Sequence, residues 1–179
     1  MFESKNNLIT KHEQAEFVIT RVFDAPRKVV FKAWTDLEIL KHWWGPKGFT
    51  WIEGKMNLLP GGMFHYGLLS PEGNEMWGKF VFRDIIQDER LTYVGSFSDK
   101  DCNTLRHPAS ATWPLSVLTI LNFTEHEGKT ILILHGIPVN ANAEEINTFI
   151  AGHHGMQQGM KGTLDQLDEY LTNFYRRLN

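Results

Sequence analysis

The stretch Asn142–Leu171, NAEEINTFIAGHHGMQQGMKGTLDQLDEYL, decides the fold. Asn142 followed by Glu145 is an N-x-x-E helix start, with a side-chain oxygen ready to accept an otherwise orphan backbone N–H. From Ala143 to Leu171 the period is helical: at 100° per residue, Phe149, His153, Met156, Met160, Leu164, Leu167 and Leu171 share one side. A helix of this length reaches about 45 Å, enough to cross the whole face of a sheet. Gly152, Gly155, Gly159 and Gly162 form an adjoining stripe, and each costs roughly 0.5–1 kcal/mol against Ala in a helix interior. Close approach of another backbone, or room left for a bound molecule, would offset that cost. Met156 and Met160 suit an adaptable apolar surface and equally suit flexible filling of a core.

Upstream of the helix, turn signals at Pro60-Gly61-Gly62, Pro71-Glu72-Gly73-Asn74, Asp88-Glu89 and Glu127-Gly128 divide a long β region. They leave strands at Thr50–Leu58, Met63–Leu69, Met76–Ile86, Leu91–Phe97, Leu115–Thr124 and Lys129–Pro138, joined by short turns as in an antiparallel meander. Ser98–Pro114, with Cys102 and His107, is a longer polar loop and a candidate rim or lid. Earlier still, EFVITRVF at Glu16–Phe23 is a β-branched strand, stopped by Asp24 and Pro26. Asp24 can accept orphan N–H groups at the start of a short helix, Arg27–Trp34, whose Val30, Ala33 and Trp34 share a face. Thr35-Asp36-Leu37-Glu38 fits a capping box for a second short helix carrying Leu37 and Leu40 and ending at Gly45-Pro46. The expected class is α+β: an antiparallel sheet with two short helices after its first strand and one long helix at the end. Met1–Gln14 has no period and reads as a flexible leader, leaving residues 15–175 as one domain. No internal repeat or low-complexity tract interrupts it.

The 179 residues, 42% hydrophobic and 12% aromatic, suffice for a sizeable core without disulfides or metal. Eighteen Lys and Arg against 21 Asp and Glu leave a net charge of −3, which argues against nonspecific nucleic-acid binding. Cys102 has no second cysteine to pair with, and the polar N-terminus lacks a secretion signal, so a reduced cytoplasmic setting is expected. No apolar run approaches the roughly 20 residues that span a bilayer.

Candidate chemistry is sparse. His153 and His154 are helix neighbours pointing about 100° apart, wrong for sharing one metal, and no metal or cofactor is expected. His65 and His135 lie in strands, where a lone histidine is more often structural than a general base. No G-x-S-x-G, P-loop, G-x-G-x-x-G or H-E-x-x-H motif is present. Asp84 reads as a buried acid or as the mark of a bulge. What the chain offers instead is aromatic side chains. Phe64, Tyr66, Phe80, Phe82, Tyr93, Phe97, Trp113 and Phe123, with Val117 and Leu121 beside them, lie where strands can face the long helix, as core or as the lining of a pocket. Trp43 and Trp44 are adjacent, so at least one is expected at a rim or interface.

The order of elements resembles the helix-grip fold of the SRPBCC superfamily, which includes START domains and birch-pollen-allergen-like proteins. Within it, VFDAPRKVVFKAWTD at Val22–Asp36, WWGPKGFT at Trp43–Thr50, LLPGG at Leu58–Gly62, DERLTYV at Asp88–Val94 and GMQQGMKGTLDQL at Gly155–Leu167 resemble the family of activator of heat-shock protein 90 ATPase-like proteins. The resemblance covers about Glu16 to Leu171. It implies a seven-stranded antiparallel sheet gripping the last helix, with a cavity between them. Superfamily members bind lipids, sterols and other apolar molecules, and a few are cyclases or hydrolases. No shared catalytic set exists to carry over.

Three readings follow. The first is a binder of a small apolar or amphipathic molecule between sheet and helix, lined by the strand residues above with Phe149, Gly152, Met156 and Met160, and with His153, His135 and Tyr66 as polar contacts. The second is a cyclase- or hydrolase-like enzyme with His153 or His135 as general base and Tyr66 as donor to a developing oxyanion. The third is a module for a protein partner, such as a chaperone, using Trp43, Trp44 and the Ser98–Pro114 loop as an exposed patch.

Overall fold

The protein is described by a computed structural model over residues 15–175. The residues read as a leader, 1–14, lie outside it. Strand β1 (Phe17–Phe23) leads into helices α1 (Arg27–Thr35) and α2 (Leu37–Leu40). Strands β2 (Thr50–Met56), β3 (Met63–Leu69), β4 (Glu75–Ile86), β5 (Arg90–Ser98), β6 (Thr104–Leu105), β7 (Val117–His126) and β8 (Lys129–Pro138) follow, then helix α3 (Ala143–Tyr170) and a π-helical turn at Leu171–Tyr175.

All pairings are antiparallel, in the order β1-β8-β7-β5-β4-β3-β2. The meander is the expected one, and β1 adds to its far edge beside β8. The count differs by one. Inside the presumed loop, Thr104 and Leu105 pair with Ser98 and Phe97 as a short eighth strand. This segment is braced as well as paired: Asp99 accepts from the Asp101 and Asn103 backbone N–H groups (2.9 Å each), and Lys79 donates to the Cys102 carbonyl at 2.7 Å. The register shift between Phe82 and Asp84 bears out the bulge reading of Asp84, whose carboxylate pairs with Arg90 at 2.7 Å.

Two helix starts differ from expectation. Asp36, not Thr35, caps α2 by accepting from the Glu38 N–H at 3.0 Å, while the Thr35 hydroxyl donates back to the Phe31 carbonyl. The first-turn N–H of Arg27 is met by Glu125 of β7 at 2.8 Å, so a strand side chain does what Asp24 was expected to do. Helix α2 also ends at Leu40, short of Gly45-Pro46. At α3 the capping box forms as read: the Asn142 side chain accepts from the Glu144 and Glu145 N–H groups, and Glu145 accepts from the Asn142 N–H at 2.9 Å.

Helix α3 is held at its two ends. Arg106 pairs with Glu145 at 2.6 Å near the start. Toward the end, Arg21 bridges Asp165 (2.6 Å) and Asp168 (2.9 Å), and Thr163 and Gln166 donate to the Gly45 carbonyl at 3.1 and 2.7 Å. The core lies between: Phe23, Phe64, Phe82, Leu121 and Leu132 of the sheet and Phe31 of α1 cluster with Phe149, Leu164 and Leu167 of α3.

Candidate functional site

Alternation fixes which strand residues face α3. On β3 these are Phe64, Tyr66 and Leu68; on β4 Met76, Gly78, Phe80 and Phe82; on β5 Leu91, Tyr93, Gly95 and Phe97. Gly78 stands opposite Phe97 and Gly95 opposite Phe80, so two adjacent strands each lack an inward side chain at neighbouring positions. A cavity of about 210 Å³ occupies that gap. At Gly78 the vacancy is a steric requirement, because a Cβ there would lie 2.6 Å from the Tyr66 hydroxyl, whereas at Gly95 it would meet only ordinary contacts at 3.6–3.7 Å.

The structure brings Tyr66, Phe80, Tyr93, Phe97 and Val117 of the sheet together with Trp113, Met156 and Met160 around this cavity. Phe80 and Tyr93 stack with centroids 4.0 Å apart. Phe64, Phe82, Leu121, Phe149 and Phe123 are buried behind the wall as core. Gly152 is one step removed: a Cβ there would fall 2.7 Å from the Trp113 ring, so this glycine makes room for a wall residue. The rest of the stripe needs correcting. A Cβ at Gly155, Gly159 or Gly162 would meet nothing within 4 Å, so neither a neighbouring backbone nor the cavity explains them.

The histidines are elsewhere. His135 lies on the outer parity of β8 and pairs with Glu16 at 2.7 Å. His153 sits between the Phe17 and Phe149 rings, with its Nε2 sealed from solvent and unpartnered. Neither joins Tyr66 at the cavity. His65 stacks on Trp77 and donates to the Asp99 carbonyl at 3.0 Å on the outer face, a structural role. Tyrosines are the only titratable side chains in the wall among the described residues, and no group of three potential metal ligands occurs among them. Burial pushes the Tyr66 hydroxyl up to about 12, partly offset by the Trp44 indole N–H. Tyr93 is raised by burial and by its neighbour Tyr66, against a hydrogen bond with Thr119. Both phenols are therefore neutral donors at physiological pH.

Both tryptophans turn inward, contrary to expectation. Trp43 is buried and donates to the Ala33 carbonyl at 3.1 Å, with its ring edge-on to Trp34. The chain has left α2 by this point, so the helical spacing that would separate the two indoles no longer applies. Trp44 packs edge-on against Phe80 and Tyr66 and is part of the cavity wall. The sequence reading missed it, along with Gly78, Gly95 and Thr119. The signal for the glycines was available, since both fall on the inward parity of their strands.

The family model described as activator of Hsp90 ATPase homolog 1-like protein matches residues 24–172. The chain belongs to this family. Solved structures share its fold. A crystal structure of a Mycobacterium smegmatis protein is 25% identical, with a TM-score of 0.73 over 90% of this chain and 93% of that one. A solution structure of an Arthrobacter aurescens protein is 25% identical, with a TM-score of 0.72 over 89% and 87%. The crystal structure of the AHSA1 protein from Silicibacter pomeroyi is 17% identical, with a TM-score of 0.63 over 88% and 97%. No curated protein matches the chain.

In this family member the cavity adjoins a wider cleft of about 730 Å³ between the Ser70–Glu75 turn and the 98–108 segment, with Met76, Trp77 and Phe97 common to both. His107 backs that side. It lies edge-on to Phe97 at 4.8 Å, accepts from the Ala109 N–H at Nδ1, and has its pKa lowered by burial. No helix among the described residues is long and apolar enough to cross a membrane.

Proposed function

We propose that the protein binds a small apolar or amphipathic molecule in the cavity between β3, β4, β5, β7 and α3. The inward glycine Gly95 carries this reading. It leaves a hollow opposite Phe80, while at Gly78 the space is taken by the Tyr66 ring, and the hollow is walled by aromatic rings and by the adaptable Met156 and Met160. An enzyme using His153 or His135 as base is less well supported, because neither reaches the wall. The partner-module reading has less support on its tryptophan side, because Trp43 is buried and Trp44 lines the cavity, which leaves the 98–114 segment as the rest of that patch.

Gly95→Val tests the proposal. A valine suits a strand and has contact-distance neighbours rather than clashes, so the fold should persist while the cavity fills. Native and denaturing mass spectrometry of gently purified protein, with titration of apolar probes, should show a bound mass or probe in the wild type and its loss in Gly95→Val. Equal binding by both would overturn the placement of the site.

A further inference from the structure

Strand β8 reads KTILILHGIP at Lys129–Pro138, apolar at both parities for most of its length. An antiparallel strand with one solvated face alternates apolar with polar residues, whereas a near-continuous apolar run is the mark of a strand covered on both faces. One face is accounted for. Leu132 and Leu134 point inward and join the core with Phe149, Leu164 and Leu167 of α3, and the Phe31 ring of α1 meets the inward Phe123 of β7 at 5.3 Å. The other face carries Ile131, Ile133 and Ile137, none of them part of that core. Register sets Val22 beside Ile131 and Val18 beside His135 on the β1 side, and Ile120 beside His135 and Leu118 beside Ile137 on the β7 side. From Leu118 the apolar row continues through Val94 and Val81 to Met63. Val18 and Val22 are 44% and 53% exposed and the other apolar residues of this face are half-buried, as befits a sheet face without a second layer.

We propose that this outward face of β1, β8 and β7 is the contact surface of a homodimer, in which two copies stack sheet against sheet. The partner follows from charge and area. Between Val18 and Val22, Leu118 and Thr124, and Ile131 and Ile137, no outward position is Lys, Arg, Asp or Glu; the polar ones are Thr20, Asn122, Thr124 and His135. Glu16, at the corner, is engaged with His135 at 2.7 Å. A surface without fixed charge selects no oppositely charged partner, and a two-fold pair needs a patch that can meet its own copy. Apolar side chains on a pleated face interdigitate with a second sheet about 10 Å away, as the two layers of a β-sandwich do. At about 4.8 Å between strands and 3.3 Å per residue, the patch on three strands measures roughly 14 by 27 Å, and the row to Met63 brings it to about 500 Å² in plan. The accessible surface of a corrugated face exceeds its plan, and a specific interface takes roughly 600–1,000 Å² from each partner, so the face is large enough for one such contact. The cavity lies on the inward side of the sheet, so each copy keeps its own and the inference stands apart from what the cavity binds.

Light scattering coupled to size exclusion, with native mass spectrometry, tests this on the full chain over a dilution series reaching about 100 μM. The wild type should show twice the 20.7 kDa of one chain and fall toward the monomer on dilution. Val22→Lys and Ile133→Lys each put a charge into the contact, twice over by symmetry, and should weaken the dimer roughly a hundredfold or more. Leu105→Lys makes the same kind of change at a 47% exposed leucine lining the cleft, and should leave the dimer intact. Circular dichroism and melting curves check the fold of each variant; should Ile133→Lys fail to fold, Val22→Lys decides, since its position is 53% exposed. A wild type that stays monomeric at the top of the series would overturn the proposal. Bleaching of the Ile131 and Ile133 methyl signals by a soluble paramagnetic probe would then show a bare face, and their protection would assign the cover to residues 1–14 or 176–179 of the same chain. A dimer that survives Val22→Lys and Ile133→Lys unweakened would overturn this face as its contact.

Discussion

Replacing Gly155 and Gly159 of α3 with alanine should stabilise the protein. Both are exposed, both lie within the helix, and a Cβ at either would enter open space. The change therefore adds no clash and removes backbone freedom from the unfolded chain, worth roughly 0.5–1 kcal/mol per site in a helix interior. Summed over the two sites, one turn apart on α3, the gain is about 1–2 kcal/mol. In a chain of this size each kcal/mol moves Tm by about 2–4 °C, so the double variant should melt roughly 2–8 °C higher. Urea unfolding with an unchanged slope, alongside calorimetry, reads the gain. Hydrogen exchange adds a local test: the stretch around His153–Lys161, between the tied ends of α3, should exchange faster than Leu164 and Leu167 in the wild type and slow in the double variant. A lower midpoint would refute the reasoning, because it would mean the glycines occupy a packed or strained site. Wild-type exchange as slow at Met156 as at Leu167 would refute the idea of a weak central segment.

Gly152→Ala should behave in the opposite way, because its Cβ would fall 2.7 Å from the Trp113 ring; a melting curve should show destabilisation, and Trp113 fluorescence or a bound probe should report a moved cavity wall. His107 should make stability pH-dependent. Burial holds its folded pKa below the ordinary 6.5, so the unfolded chain takes up the proton first; stability is complete above 6.5 and falls as pH drops toward the folded value. Urea midpoints between pH 7.5 and 5 in the wild type and in His107→Gln check this, and an unchanged slope in the variant would remove His107 as the cause. Arg21→Ala should cost roughly 1 kcal/mol, less at high salt, since its two carboxylate partners are half-exposed; salt-independent loss in urea unfolding would point to the Arg21 guanidinium lying over the Phe23 ring instead.

Much of the fold was legible because it rests on local rules. The Asn142–Glu145 box, the alternation along β3 to β5 and the turn glycines each act within a few residues, and each formed where expected. Failures came where a distant residue took over a local role. Glu125, 98 positions from Arg27, meets the helix start that Asp24 was expected to serve. The wall aromatics were legible as a face but not as core or cavity, because that distinction depends on what stands opposite. Phe82 and Phe80 share a strand and a parity, yet only Phe80 borders the hollow left by Gly95. The glycine stripe misled for a related reason: helical spacing gives a direction on α3, but not whether anything lies there.

The WWGP stretch shows how the cavity and the helix are built as one arrangement. Trp43 anchors to the Ala33 carbonyl and fixes the chain below α1. Trp44, the next residue, enters the cavity wall. Gly45 then adopts φ +117°, where a side chain would be strained and its Cβ would lie 2.6 Å from Leu68, and this conformation offers its carbonyl to Thr163 and Gln166 of α3. Three consecutive residues thus join the core, the candidate site and the C-terminal half of the gripping helix. Any shift of α3 at Thr163 or Gln166 acts on the backbone that carries Trp44, whereas a shift at the untied centre, where Met156 and Met160 close the cavity, need not. The ties therefore fix the Trp44 side of the cavity wall and leave its Met156 and Met160 side without such ties, where flexible methionine side chains can repack.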